Sequence, residues 1–165
     1  MYNNQHERKC FEVILKCFPD LWVYQSDNSI LHIVENRIRY YNGQSPMLFP
    51  EAGMGQFNLT NNGREIRKEF LLYFPVPRKM IWIEVKYLSK PTSLRDQLHG
   101  EITRSKNYNG ELWLLTLGDG FDTNTLEFCR KEIKERNLTD RVRIITNYIE
   151  LEETLITVSE QSVLV

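Results

Sequence analysis

The sequence predicts an α/β fold, a mixed central β-sheet flanked by helices. Three features point there. Apolar residues recur at helical spacing near the N-terminus, several β-rich runs follow, and helix and strand patterns then alternate to the C-terminus. The 165 residues are 41% hydrophobic and 12% aromatic, the make-up of a packed core rather than a disordered chain. No linker, repeat or low-complexity stretch interrupts it, so residues 1–165 read as a single domain.

Residues 5–18 read as a helix with Phe11, Ile14, Leu15 and Phe18 on one stripe, ended by Pro19-Asp20. Leu21–Gln25 reads as a strand, and Ile30–Tyr41 as a hairpin element turning at Asn36-Arg37. Residues 42–63 carry Gly43, Pro46, Pro50, Gly53, Gly55 and Gly63, which predicts a long loop. Glu65–Phe74 and Met80–Leu88 are β-rich runs joined by Pro75-Val76-Pro77-Arg78-Lys79, where prolines favour a tight hairpin. Thr92 or Ser93 then caps a helix over residues 93–108, behind Pro91. Glu111–Leu117 is a strand, Gly118-Asp119-Gly120 a turn, Thr123–Arg136 a helix and Arg141–Thr146 a strand. Residues 149–158 make a last helix.

Several function classes are set aside at once. No apolar run reaches the about 18 residues of a membrane span, so no membrane partner is expected. The N-terminus, Met1 to Lys9, is polar and lacks the apolar centre of a signal peptide, so the expected location is cytoplasmic. Cys10, Cys17 and Cys129 form neither a disulfide framework nor a zinc pattern and read as buried small hydrophobes. His6, His32 and His99 lack metal-ligand spacing and read as structural or exposed. Trp22, Trp82 and Trp113 fall in expected strands and read as core. The net charge is only −1, yet residues 64–106 hold ten Lys or Arg against five Asp or Glu. The distribution, more than the sum, suits contact with a phosphate backbone. Arg37, Arg39, Tyr40 and Tyr41 mix cations and aromatics on the early hairpin, where they either pack or clamp a nucleic-acid strand.

The chemistry concentrates on Ile81-Trp82-Ile83-Glu84-Val85-Lys86-Tyr87. Residues two apart in a strand share a face, so Trp82, Glu84 and Lys86 point one way. If Phe74 pairs with Lys79, opposed residue numbers sum to 153, and Glu69 faces Glu84 while Arg67 faces Lys86. A loop one residue longer breaks that arrangement, and the sequence leaves both registers open. Facing carboxylates repel, and a divalent cation is their ordinary compensation.

The runs Lys68-Glu69-Phe70-Leu71-Leu72-Tyr73-Phe74 and Ile81-Trp82-Ile83-Glu84-Val85-Lys86 resemble the signature of the PD-(D/E)XK nuclease superfamily. That signature places an acid on one strand and E-x-K on its antiparallel neighbour. Here the first acid is glutamate and no proline precedes it, and Glu65 competes with Glu69 for the role. Gln5-His6-Glu7-Arg8, leading into an apolar helix and a strand, resembles the opening of archaeal Holliday-junction resolvases. Glu7 matches the acid their helix supplies, with Glu12 as the alternative. Gln97 is similar to a glutamine that many members carry on the helix after E-x-K. The resemblance spans residues 5 to about 117 and implies a restriction-endonuclease-like core. It implies a DNA endonuclease in which Glu69, Glu84 and the Val85 carbonyl hold Mg²⁺, with Mn²⁺ able to substitute. Lys86 would act on the attacking water, Glu7 would complete the coordination, and Gln97 would orient Lys86 or touch phosphate. A second copy of the chain, or a different protein chain, is the expected partner for cutting both strands. The alternative is a nuclease-fold module that binds DNA or protein without activity.

Overall fold

The computed structural model describes residues 5–24, 43–50, 53–54, 66–67, 69–90, 94–105 and 110–163, with side chains omitted at 53–54, 66–67, 94–97 and 162–163. In chain order these hold α1 (Gln5–Cys17), β1 (Trp22–Val23), β2 (Met47–Pro50), β3 (Gly53–Met54), β4 (Ile66–Arg67), β5 (Phe70–Pro75) and β6 (Arg78–Tyr87). Then come α2 (Leu94–Arg104), β7 (Glu111–Leu117), α3 (Thr123–Glu135), β8 (Val142–Ile145) and α4 (Tyr148–Val163). The α/β class is as expected, a mixed six-stranded sheet in the order β1-β2-β5-β6-β7-β8. β1 and β2 are parallel, β5 is antiparallel to both β2 and β6, and β6, β7 and β8 are parallel. No helix among the described residues is long and apolar enough to cross a membrane.

Strand alternation divides the core between the two faces. Phe49, Leu71, Trp82 and Leu114 pack on one face under Leu98 and Ile102 of α2 and Cys129 and Ile133 of α3. Phe70, Ile83, Trp113 and Leu115 pack on the other, under Cys10 and Ile14 of α1 and Leu151 and Leu155 of α4. With helices on both faces, β7 is buried from Leu112 to Leu117, apolar throughout except Thr116, whose hydroxyl donates to the Ile145 carbonyl.

Some expectations change. Met47–Pro50 is a fully buried strand between β1 and β5, not part of a loop, and Gly53–Met54 pairs with Ile66–Arg67 in a separate two-stranded sheet. The turn-forming residues around Met47-Leu48-Phe49 hid a run too short to stand out. Arg67 therefore pairs with Gly53 and does not face Lys86. On α1 the buried positions are Cys10 and Ile14, while Leu15 is 38% exposed, so the expected stripe holds at Ile14 but not at Leu15. Trp82 and Trp113 are core, but Trp22, on an edge strand, is 43% exposed, and Cys17 is only half-buried. The expected hairpin at Ile30–Tyr41, with Arg37, Arg39, Tyr40, Tyr41 and His32, lies outside the described residues, as do Glu65 and the Thr92 and Ser93 caps.

Urea denaturation distinguishes the buried from the exposed side of α1. Ile14→Ala should cost about 2–5 kcal/mol, the range for emptying a closed core site. Leu15→Ala should cost about 1 kcal/mol or less, as a half-open surface position does.

Candidate functional site

β6 is buried from Met80 to Ile83 and only half-buried from Glu84 to Lys86. The strand leaves the core at the carboxylate. β5 accompanies it only as far as Phe70↔Ile83, whereas β7 continues alongside to Tyr87↔Leu117. The observed pairs, including Phe74↔Lys79, sum to 153, the register that sets Glu69 opposite Glu84. Pairing continues to Pro75↔Arg78, so the turn is only Val76-Pro77, shorter than the sequence suggested.

Glu69 sits one residue before β5, and its Oε2 accepts a hydrogen bond from the Val85 backbone N–H at 3.2 Å. The carboxyl thus occupies the place a backbone carbonyl of β5 would have held. Further along, Leu88 N–H donates to Leu117 on the β7 side. Backbone polar groups alternate sides along a strand, so the N–H and C=O of Val85 both face the β5 side, towards Glu69. Burial first, and then the Glu84 charge, raise the Glu69 carboxyl to about 8, against the hydrogen bond from Val85, which pulls the other way. A hydrogen bond to the Glu84 side chain adds to the rise, so the two carboxyls are in contact. Glu84 Oε2 is withdrawn from solvent.

α1 reaches this corner from the opposite face. Glu7, Cys10 and Ile14 lie at helical spacing on the stripe turned to the sheet, and Glu12 is exposed on another side. Burial raises the Cys10 thiol, and the charges of Glu69 and then Glu7 add to it, so Glu7 and Glu69 flank one thiol. Beside Glu7, the His6 ring stacks on Tyr87 with centroids 4.2 Å apart and planes at 15°. His6 Nδ1 is 3.1 Å from the Tyr148 hydroxyl, which donates to the His6 carbonyl at 3.3 Å. At the far side, a Cβ on Gly118 (φ +94°) would stand 2.1 Å from the Leu88 carbonyl, so only glycine lets β7 turn back against the end of β6.

The structure therefore brings Glu69, Glu84 and Val85 together, puts Lys86 on the Glu84 face of β6, and turns Glu7 inward. Gln97 is in the first turn of α2, but its side chain lies outside the described residues. Among the described residues no group of three or more His, Cys, Asp or Glu is gathered closely enough to hold a metal ion. Sequence reasoning missed Tyr87 and the partners of His6; the signal was an aromatic directly after E-x-K. No family model, curated protein or solved structure matches the chain.

Between the ordinary carboxyl value of 4.5 and about 8, folded Glu69 keeps a proton that the unfolded chain releases. That contribution to stability is full below the lower value and is lost as pH rises through the upper one. Melting temperature in EDTA should fall from pH 5 to pH 8.5, more in wild type than in Glu69→Gln. Parallel profiles for the two proteins would remove Glu69 from the explanation.

Proposed function

We propose that the chain is a metal-dependent endonuclease of the PD-(D/E)XK kind that hydrolyses DNA phosphodiester bonds in the cytoplasm. The observation that carries this is the contact of Glu69 with Glu84 where β5 ends, with Lys86 next on the same face of β6. The order of α1, then β2, β5 and β6 as an antiparallel run, then α2 and parallel β7 supports a restriction-endonuclease-like core.

The residues fit a hard divalent cation. Two carboxyls in a half-buried corner need a shared proton or a cation to coexist, and Mg²⁺ or Mn²⁺ takes such oxygen donors. Glu69, Glu84 and the Val85 carbonyl would hold it, with water for the remaining positions. A bound Mg²⁺ supplies charge neutralisation at the phosphate and a more acidic water. Glu69 keeps its own carboxyl oriented through the Val85 N–H. The Lys86 ammonium stands on the Glu84 face, placed to orient or deprotonate the attacking water and to offset charge developing on the phosphate. Glu7, on the inward stripe of α1, bears with Glu69 on the Cys10 thiol and would complete the coordination, and Gln97 on α2 would orient Lys86 or touch phosphate. Cutting both strands calls for a second site, from another copy or a partner chain. The rival reading is an inactive nuclease-fold module that binds DNA or protein. It draws on the absence, among the described residues, of a three-member acidic group.

In a nuclease assay on branched, duplex and single-stranded DNA, cleavage should require Mg²⁺ or Mn²⁺. It should disappear in Lys86→Ala and in Glu84→Gln, both of which should fold. Cutting at the wild-type rate by either variant would place the site elsewhere. Glu7→Gln should slow cleavage more than Glu12→Gln, because Glu12 points outward; the reverse order would reassign the helix acid.

A readout without substrate comes from melting. With a Kd near about 1 mM, ~10 mM Mg²⁺ should stabilise wild type by about 1.4 kcal/mol, a rise of roughly 2–6 °C. Glu84→Gln should melt higher than wild type in EDTA and lose most of the Mg²⁺ shift. No shift in wild type, with a lower-melting variant, would favour the inactive module.

A further inference from the structure

We infer that Tyr87, stiffened by His6, is a stacking platform for an unpaired nucleobase beside the scissile phosphate, so that the preferred substrate has unpaired bases at the cut. This rests on the nuclease reading above and adds a substrate class to it.

Tyr87 is the last residue of β6 and follows Lys86 directly, which puts their Cα atoms about 3.8 Å apart. Alternation turns Tyr87 to the α1 face, the face of Ile81 and Ile83. Those two are fully buried, whereas Tyr87 is 51% exposed. Tyr87 stands past the end of the packed interior, so its ring stays open to a ligand. The ring is also held still. His6 covers it at 4.2 Å in near-parallel geometry, and its Cε2 would be 3.0 Å from a Cβ placed on Gly118. His6 is itself fixed through Tyr148. Tyr148 in turn carries the Lys9 ammonium 4.7 Å above its ring, a cation close to the same platform.

A ring fixed before binding loses little entropy when a base stacks on it. Bases inside a duplex are already stacked and paired, so only an unpaired one can use the platform. A phosphate at Glu69, Glu84 and Lys86 would leave its neighbouring base to pass round the end of β6 to the α1 face, where Tyr87 and His6 wait. Lys9 would then sit near the next stretch of phosphate backbone. Aromatic stacking of this kind tolerates any base, so the selectivity is for strand form, not sequence.

The test is fluorescence anisotropy with one labelled oligonucleotide, single-stranded and annealed to its complement, in EDTA, followed by cleavage of both in Mg²⁺. Tyr87→Leu keeps apolar bulk without a π-face. It should weaken single-strand binding by about 5- to 150-fold, the cost of losing one stacked base, and lower the preference for single strand over duplex accordingly. Tyr87→Phe should restore both, and His6→Ala should move the preference in the same direction as Tyr87→Leu. If Tyr87→Leu lowers only the melting temperature, or weakens both DNA forms equally, the ring merely fastens α1 to β6 and the inference falls. Metal-dependent cutting with an unchanged preference in Tyr87→Leu would sink the platform and leave the nuclease standing. Single-strand binding that depends on Tyr87, without cutting, would keep the platform and remove the nuclease.

Discussion

Two carboxyls in contact at the end of β5 set the terms for this corner of the molecule. Facing like charges on paired strands cost on the order of 1 kcal/mol, so something stronger fixes them. That is the core on either side of the hairpin. A slip of one residue between the strands would turn one of them over, sending either Leu71 or Trp82 to the α1 face and either Phe70 or Ile83, on the same strand, to the α2 face. Each of these side chains is at most 1% exposed, and each contributes roughly 1.5–3 kcal/mol by its burial. The two on the strand that turns over already outweigh one repulsion several-fold. The apolar register imposes the carboxyl pair, and the pair relieves itself by holding a proton or a cation.

Glu69 makes the corner unusual because its side chain lies along the edge of the strand, not above or below the sheet. Its oxygen takes the Val85 N–H that β5 no longer reaches. From that edge it touches Glu84, which belongs to the α2 face, and bears on Cys10, which belongs to the α1 face. Groups from both faces therefore act on one point. Had β5 continued two residues further in register, the Val85 groups would have been bonded to backbone and the two faces kept apart. Shortening one strand creates the site.

Much of this was legible in the sequence because it follows from a period of two. Glu84 and Lys86 on one face, and Glu69 against Glu84, need only strand alternation and one tight turn. Gly118-Asp119-Gly120 was legible as a turn, but not as the brace that closes on Leu88, which depends on a contact across the sheet. The expected stripe of α1 holds at Ile14 and Phe18 but not at Leu15, which is 38% exposed, while Cys10 faces the sheet instead. β2 was lost among glycines and prolines, since a four-residue strand between turn formers has too few positions to show a pattern. The contact of His6 with Tyr148 joins residues 142 apart, and no local pattern encodes it.

The gradient of burial along β6 bears on what the corner can do. Upstream, Met80 to Ile83 anchor the strand in a packed interior, and downstream Tyr87 is half in water. Glu84 and Lys86 lie between these limits. A fully buried pair would be closed to a phosphate, and a fully exposed pair would be screened and loosely held. At half burial the backbone is fixed by the core on one side, while the Glu84 and Lys86 side chains keep access to water on the other. Preorganised charge at a point open to solvent is what hydrolysis of a phosphodiester asks of a protein, because the water is a reactant and the charge must be ready before it arrives. The same gradient explains why His6 and Tyr87 stand where they do. Past Lys86 the core no longer holds the strand, and a stacked pair of rings on one side, with a glycine turn on the other, takes over that task.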